Sequence, residues 1–535
     1  MSDEIYLLKE PVTVVVVGYE KKSYGKEKFF ESLRSIIAQK YISVSKILIV
    51  DIAEKKHKDS KELPQDILDN PIPKAQISFP GFSIAMKEII KQSQENGYMV
   101  LVDIRESPVY LKSCALVSMI FSLQKDKRAG MLYSDYGIIT KDGVQERHLL
   151  EYHEGRLRDN LDLGKVYAFP MHVLKSIESD ESFKHAAFYD LRLKISEKYN
   201  LKHIANRTDG YLYEIETPAK AHNVFDYLQD AKEAQKEMEV VLTNHLKRIH
   251  GYLEPDDYEG KIASQDHESD ILVSILIPVY RRPEFIATAI ESAIHQTLGK
   301  KVEVIVIVNG GDHDPTSRIV RKYLPGGSLY SQEASNVHLI VVDINNIGLC
   351  LNLGLKKAKG KYYLQLDSDD RLKPFAAEEV VKVFEQNPQA GMVIGSYEVW
   401  EKQNDGTLVR REDIPVVKHE EWTRENGRNN LLRINGAGAP RAYNIKVVEN
   451  MGFFSMNDDP HARNYGEDYD MVLRISEKYP IERIWDPIYE VVRHAGGTDH
   501  SIDQYTVDRN DNAKDRMRLI ALERRKNHNL GKMKE

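Results

Sequence analysis

Apolar residues fall along this chain in two alternating rhythms. Short unbroken apolar runs mark strands buried on both faces of a sheet, and apolar positions three or four apart mark helices. From Pro11 to Gly18 the sequence reads PVTVVVVG, a buried strand. A helical pattern follows through Phe29, Leu33, Ile36 and Ile37, and the strand KILIVD then closes on Asp51. A helix from Ser83 to Gln94 leads to the strand YMVLVD, which ends at Asp103. The order β-α-β-α-β is half of a doubly wound sheet with right-handed crossovers.

The same order returns further on. SILIPVY (Ser274 to Tyr280) reads as a buried strand, and Pro283 opens a helix whose apolar face is Ile286, Ile290, Ala293 and Ile294. The strands VEVIVIVNGG and VHLIVVD follow. A helix from Leu349 to Lys357 then leads into the strand Tyr362 to Leu366.

The halves also share words. Ala-Gly-Met stands at 129–131 and again at 390–392, and Ile-Ser-Glu-Lys-Tyr closes a helix at 195–199 and again at 475–479. Identical words in the same relative place point to a tandem duplication. The predicted fold is α/β, two Rossmann-like domains in tandem, each a mostly parallel sheet flanked by helices. The domains expected are 1–218, a helix and acidic linker at 219–270, a second domain at 271–505, and a basic helix or tail at 506–535.

Composition narrows the class of protein. Hydrophobic content of 41% and charged content of 29% describe a globular chain able to bury a sizeable core. A net charge of −7 gives no nucleic-acid footprint. With only Cys114 and Cys350, the cysteine usage suits a reducing compartment. The N-terminus lacks a basic leader, and no apolar run approaches the roughly 20 residues of a membrane span. The expected location is cytoplasmic. The run from Lys514 to Lys534, with Arg516, Arg518, Arg524, Arg525 and Lys526, reads as a solvated helix with one face packed, or as a peripheral contact with the inner face of a membrane.

Candidate chemistry gathers where the strand Tyr362 to Leu366 stops at Asp367, Ser368, Asp369 and Asp370. Clustered carboxylates repel, so they are expected around a cation or out in water. A strand end in an open α/β sheet is also where ligands bind. Hard oxygen ligands suit magnesium or manganese carrying substrate phosphates. The first half lacks these groups. Asp103, Ile104, Arg105 and Glu106 align with the acidic cluster, and Ala187 and Phe188 align with Glu467 and Asp468. All three tryptophans, Trp400, Trp422 and Trp485, belong to the second half, where their flat faces suit sugars or core packing.

Taken together, residues 271–501 resemble a glycosyltransferase of family 2, with the GT-A fold. The resemblance rests on PVY (278–280), Asn346-Ile-Gly348, Asn352-Leu-Gly354, Ala358-Lys-Gly360, LDSDD (366–370), GEDYDMVLR (466–474) and Arg493-His494. It implies inverting, metal-dependent transfer of a sugar from a nucleotide-sugar donor to an acceptor hydroxyl. The acceptor expected is a glycan, glycolipid or protein-linked glycan, in bacterial-type surface polysaccharide or glycoconjugate synthesis. By the resemblance, Pro278, Val279 and Tyr280 pass beside the base of the nucleotide, and Asn309 stands where the family has an acid for it. Asp367 contacts the ribose or sugar, with Ser368 beside it. Asp369 binds Mn or Mg, His494 completes the metal shell, and Asp468 is the general base with Glu467 raising its pKa.

Asn309 and Leu351 depart from the family pattern, and Arg282, with Arg281, is expected to compensate at the diphosphate. The acceptor side is assigned to Trp400, Gly438, Arg441 and Trp485, within a flexible stretch that includes Gly436. Residues 1–218 are expected to be a degenerate, non-catalytic copy, and a homo-oligomer is left open. The competing readings are a carbohydrate-binding or scaffold protein that kept the fold, and a nucleotidyltransferase of similar build.

Overall fold

In the computed structural model the described residues are 8–18, 25–52, 63–178, 183–206, 208–216, 232–263, 269–332, 336–434, 438–456, 458, 460–461, 464–494 and 503–532. They form two compact units, Met1–Ile249 and His250–Glu535.

The first unit is built on a seven-stranded sheet. Its strands are β1 (Leu8–Val17), β2 (Ile42–Ile52), β3 (Lys74–Phe79), β4 (Tyr98–Asp103), β5 (Ala129–Ser134), β6 (Val166–Pro170) and β7 (Asn200–Ile204). Helices α1 (Lys26–Ile37), α2 (Phe82–Gln92), α3 (Ala115–Lys125) and α4 (Ala187–Ser196) connect them, and α5 (Lys232–Arg248) follows. The strands lie in the order β3-β2-β1-β4-β6-β5-β7. As the unbroken apolar runs require, Val14 to Val17 and Met99 to Val102 are buried. A separate four-stranded sheet flanks the main one.

The main sheet of the second unit uses β8 (Val273–Val279), β9 (Val302–Val308), β10 (Asn336–Val341), β11 (Tyr362–Gln365), β12 (Met392–Lys402), β13 (Arg441–Asn444) and β14 (Ile481–Arg493). Its order is β10-β9-β8-β11-β13-β12-β14, with the two-residue strand Arg371–Leu372 beyond β14. The helices used below are α6 (Ile286–Ile294), α7 (Ile347–Lys357), α8 (Ala376–Gln386), α9 (Glu467–Lys478) and α10 (Gln504–Lys532).

Strand for strand the two main sheets have one topology. In each, the first four strands are parallel. The fifth, β6 or β13, enters antiparallel to both its neighbours. The last pair, β5 with β7 or β12 with β14, is parallel again. The expected α/β fold with parallel-rich sheets is what the chain adopts, and the reversed strand is the detail its apolar rhythm does not disclose.

The repeated words turn out to touch one another. A Cβ on Gly130 would lie 2.5 Å from Tyr199 Cβ and 2.7 Å from Ile195 Cγ2, and one on Gly391 would lie 2.8 Å from Tyr479 Cβ and 2.9 Å from Ile475 Cγ2. The glycine of Ala-Gly-Met therefore lets the helix ending in Ile-Ser-Glu-Lys-Tyr close onto its strand in both units.

Of the helix expected from Ala219 to His250, the described part is α5, and residues 217–231 lie outside the described residues. The acidic segment after it packs into the second unit: Leu253 is buried and exchanges hydrogen bonds of 3.0 and 2.8 Å with the Asn429 amide. The C-terminal segment forms α10, and much of its basic character faces inward. Arg518 and Arg525 are fully buried, and Arg524 makes a two-pronged ion pair with Glu477. All three bond within the second unit. Among the described residues, no helix is long and apolar enough to cross a membrane.

Candidate functional site

The family-like motif around α7 is largely a docking device. Asn346 caps the helix by accepting from Leu349 N at 2.8 Å. Asn352 clamps Phe454 from both sides, through its N–H and its C=O, at 2.9 Å each. A Cβ on Gly348 would sit 2.0 Å from the Ser455 carbonyl oxygen, and one on Gly354 would sit 2.5 Å from Leu276 Cδ2. Both glycines therefore mark close approach of the helix to its surroundings. The helix seats against β8, and the loop 451–455 is pinned to it.

The edge of the sheet formed by the C-terminal ends of β8, β9 and β11 carries the predicted donor residues. Val279 is buried at the end of β8, and Tyr280 is exposed beyond it. The next two residues are held by their backbones: Arg281 N donates to Asp314 Oδ2 at 2.8 Å, and Arg282 N donates to Thr316 Oγ1 at 2.9 Å. The Arg281 guanidinium lies over the Tyr280 ring and that of Arg282 over Phe285. Asn309 is buried, its amide 3.3 Å from Asn345 Oδ1, and its own Oδ1 is a buried acceptor with no hydrogen-bond partner among the described residues.

The acidic cluster resolves in a way that neither of its expected environments describes. Asp370 turns inward, accepting from Tyr489 Oη and from Val492 N at 2.8 Å each. Burial, with Asp367 and Asp369 nearby, drives its pKa well above the usual carboxylate range. Ser368 is buried. Asp367 has its backbone N–H on Tyr489 Oη at 3.1 Å, and its carboxyl is raised by burial and by the neighbouring charges of Asp369 and Asp468. Asp369 reaches His494, with Oδ2 3.0 Å from Nε2, and the imidazole packs on Phe285 with ring centroids 4.2 Å apart.

A carboxylate oxygen and an imidazole nitrogen converging in this way form a donor set that suits manganese. Among the described residues no group of three or more His, Cys, Asp or Glu is arranged to hold a metal. The protein side therefore offers this pair, and substrate oxygens would complete the shell, as they commonly do for such cations.

The second acidic pair opens α9. Gly466 precedes it with φ +92°, a left-handed turn that suits glycine. Asp470 and Arg474 of the same helix anchor the loop below: Asp470 accepts from Ser455 Oγ at 2.9 Å, and Arg474 donates to Phe453 O at 2.8 Å. Asp468 meets Arg441 of β13, with Nη1 2.7 Å from Oδ2, and also accepts from Tyr469 N at 2.7 Å. Because β13 runs antiparallel, its first residue lies at the edge where β11 ends. From there the Arg441 cation faces Asp468 and Asp367 together.

Glu467 is buried, and burial together with Asp468 pushes its pKa up to about 8. Glu467 is the deeper of the two, and the Arg441 hydrogen bond goes to Asp468.

The acceptor-side residues separate. Trp400 pairs with Val492 beside the Asp370 anchor and lies under the Arg371 guanidinium. Gly438 packs on His419, where a Cβ would come within 2.7 Å of Cε1. Trp485 is 52% exposed, early in β14 and stacked on Arg483, away from the edge where β14 meets the acidic cluster. Gly436 lies outside the described residues. A cavity of about 290 Å³ is lined by Trp422, Arg428, Ser476, Tyr479 and Glu482. It stands at the C-terminal end of α9, about 18 Å along the helix from the acidic pair, so it is not part of this site.

In the first unit the equivalent strand end is closed. Arg105 grips Asp103 with Nε and Nη2 at 2.9 and 2.7 Å and lies over the Phe82 ring. Burial opposes ionisation of Asp103, but the Arg105 hydrogen bonds and charge hold its pKa below the usual carboxylate range. Sequence reasoning placed Arg441 on the acceptor side without its partner, and it missed Tyr489. Both contacts depend on pairings across the sheet.

Residues 274–456 match the model described as Glycosyl transferase family 2. An uncharacterized glycosyltransferase of Rickettsia bellii is 32% identical over 133 residues, 24% of this chain and 18% of that protein. A chondroitin synthase of Escherichia coli is 28% identical over 239 residues, 44% of this chain and 31% of that protein. The chain therefore spans less than a third of either relative. Among solved structures, S. aureus TarS 1-349 in complex with UDP-GlcNAc is similar with a TM-score of 0.32 and 17% identity, over 44% of this chain and 62% of that one.

Proposed function

We propose, from the match of residues 274–456 to glycosyl transferase family 2, that the second unit transfers a sugar from a nucleotide-sugar donor to an acceptor hydroxyl with inversion. Its acceptor is a glycan or glycoconjugate, and its product a surface polysaccharide or related glycoconjugate. The stretch shared with chondroitin synthases of Escherichia coli and Pasteurella multocida and a hyaluronan synthase of the latter supports that choice.

One observation carries the reading. Asp367 and Asp468, from distant parts of the chain, face a single buried cation, Arg441, at one sheet edge. The donor lies along that edge. Pro278, Val279 and Tyr280 flank the base, Asn309 offers its unpartnered carbonyl oxygen to it, and Asp367 takes the ribose or sugar. Asp369 and His494 would hold a divalent cation, which would supply positive charge to the departing nucleoside diphosphate. Asp468 accepts the acceptor's hydroxyl proton as the new glycosidic C–O bond forms and the bond to phosphate breaks. Glu467, with its pKa near 8, keeps its proton at neutral pH and does not add a second anion beside Asp468.

The first unit is read as a non-catalytic copy that arose by duplication. Arg105 fills the position of the metal ligand, and the acid pair is replaced by Ala187 and Phe188.

The test is release of nucleotide from a panel of nucleotide sugars with manganese, using the full chain. Asp369→Ala and Asp468→Asn are each expected to reduce release by about a hundredfold or more. Equal release by all three proteins overturns the assignment.

A further inference from the structure

The C-terminal helix α10 packs on the N-terminal end of α9, the element that carries Glu467 and Asp468. Met517 of α10 presses on the Gly466 turn, where an added Cβ would come within 2.6 Å of its Cε. Arg518, fully buried, pairs with Asp515 at 2.7 Å, donates to Ile434 O at 2.7 Å and lies over the Tyr469 ring. One turn earlier on the same face, Lys514 is 8% exposed, an unusual depth for lysine. Its ammonium stands 4.6 Å from the Tyr465 ring centroid and 5.5 Å from that of Tyr469, the two aromatic residues on either side of the acidic pair in sequence.

We propose that Lys514 is a positioning residue of the transfer site, a second fixed cation that holds the first turn of α9, and with it the Asp468 carboxylate, in place. The proposal rests on the reading of Asp468 as the base and adds a component that the matched family segment, residues 274–456, does not contain. A buried ammonium persists only where opposite charge or ring faces offset its lost hydration. Burial works against its charge, yet Tyr465 and Asp468 hold its pKa above the usual lysine value.

The charged and titratable groups around Asp468 come from four elements. Glu467 lies on its own helix, Arg441 and Tyr443 on β13, Asp367 on the turn after β11, and Lys514 on α10. Arg441 is shared between Asp468 and Asp367. A second cation therefore offsets the acid that a single arginine leaves over. Lys514 itself also faces Arg518, which opposes its charge.

A double-mutant cycle on the full chain tests this without knowledge of the substrate. Lys514→Met, Asp468→Asn and the double variant are melted at about pH 7, where free carboxylates are ionised. Lys514→Met is expected to lower the melting temperature more in the wild-type background than beside Asp468→Asn. Additive effects overturn the proposal, and if Lys514→Met does not fold, Lys514→Gln takes its place in the same cycle.

In the nucleotide-release assay, Lys514→Met is expected to lose about tenfold in kcat with the donor KM unchanged, and Lys514→Arg to recover most of it. The two readings fail separately. Wild-type turnover by Asp468→Asn removes the base assignment and leaves the cycle to report on Lys514. An essential Asp468 with an additive cycle removes Lys514 alone.

Discussion

At the scale of single residues, the site is decided by which carboxyl receives a partner. Asp468 has Arg441, Asp370 has a tyrosine hydroxyl and a backbone N–H, and Glu467 is left buried beside another acid. The consequence for stability has a definite sign. A carboxyl whose pKa rises from 4.5 to about 8 on folding binds more proton in the folded state between those values. Stability is therefore full below that interval and falls as pH rises through it. Glu467→Gln removes the charge that burial disfavours. Its melting temperature is expected to exceed that of the wild type above about pH 8, by a stability difference on the order of a few kcal/mol, and to converge with it near pH 5. Superimposable profiles across that range would show that Glu467 titrates normally. The clustered acids were legible in the sequence, but the division of labour among them was not, because each partner comes from a different strand or helix.

At the scale of elements, helix α7 shows how a motif recognised by its residues acts through its packing. The two asparagines hold a cap and a loop, and the glycines allow backbone and side chains to approach where a Cβ could not fit. Gly348→Ala meets a backbone oxygen, which cannot swing aside as a side chain would. The expected cost is about 2–4 kcal/mol, read as a fall in the urea midpoint, with loss of nucleotide release as the 451–455 loop shifts. A neutral Gly348→Ala would mean that the Ser455 carbonyl yields freely. The elements read from the apolar rhythm are present: β4 spans the predicted Tyr98 to Asp103, and α7 begins two residues before the predicted Leu349. Strand β3, with no unbroken buried run, was not read from it. Helix α10 was read by its charge alone, and its buried arginines, each reaching a carbonyl oxygen of the second unit, could not be seen from spacing.

At the scale of the molecule, two units of one strand order differ at the same sheet edge. The second unit keeps acids facing Arg441 and a candidate metal pair, whereas the first closes its strand end with the Asp103–Arg105 pair. The second unit also depends on the chain far beyond the family-matched segment, because Ala513, Met517, Ala521 and Leu522 of α10 are buried. Truncation before Gln504 uncovers that apolar surface and strips Glu477 and Tyr469 of their arginines. The truncated chain is expected to lose the cooperative melting transition of the second unit, followed by calorimetry, while the first unit still melts. Retention of both transitions would show that α10 is dispensable for folding.

The sequence by itself determined the alternation of buried strands and amphipathic helices, the repeat, and the places where acids end strands. Those features are written in local spacing and in words that recur. Tertiary structure alone decided that β13 runs backwards and delivers Arg441 to the acids, that Asp370 turns inward, and that α10 lays Lys514 beside the acidic pair. Each of these depends on contacts between residues far apart in the chain, where burial and charge pairing select one arrangement among many that the local pattern permits.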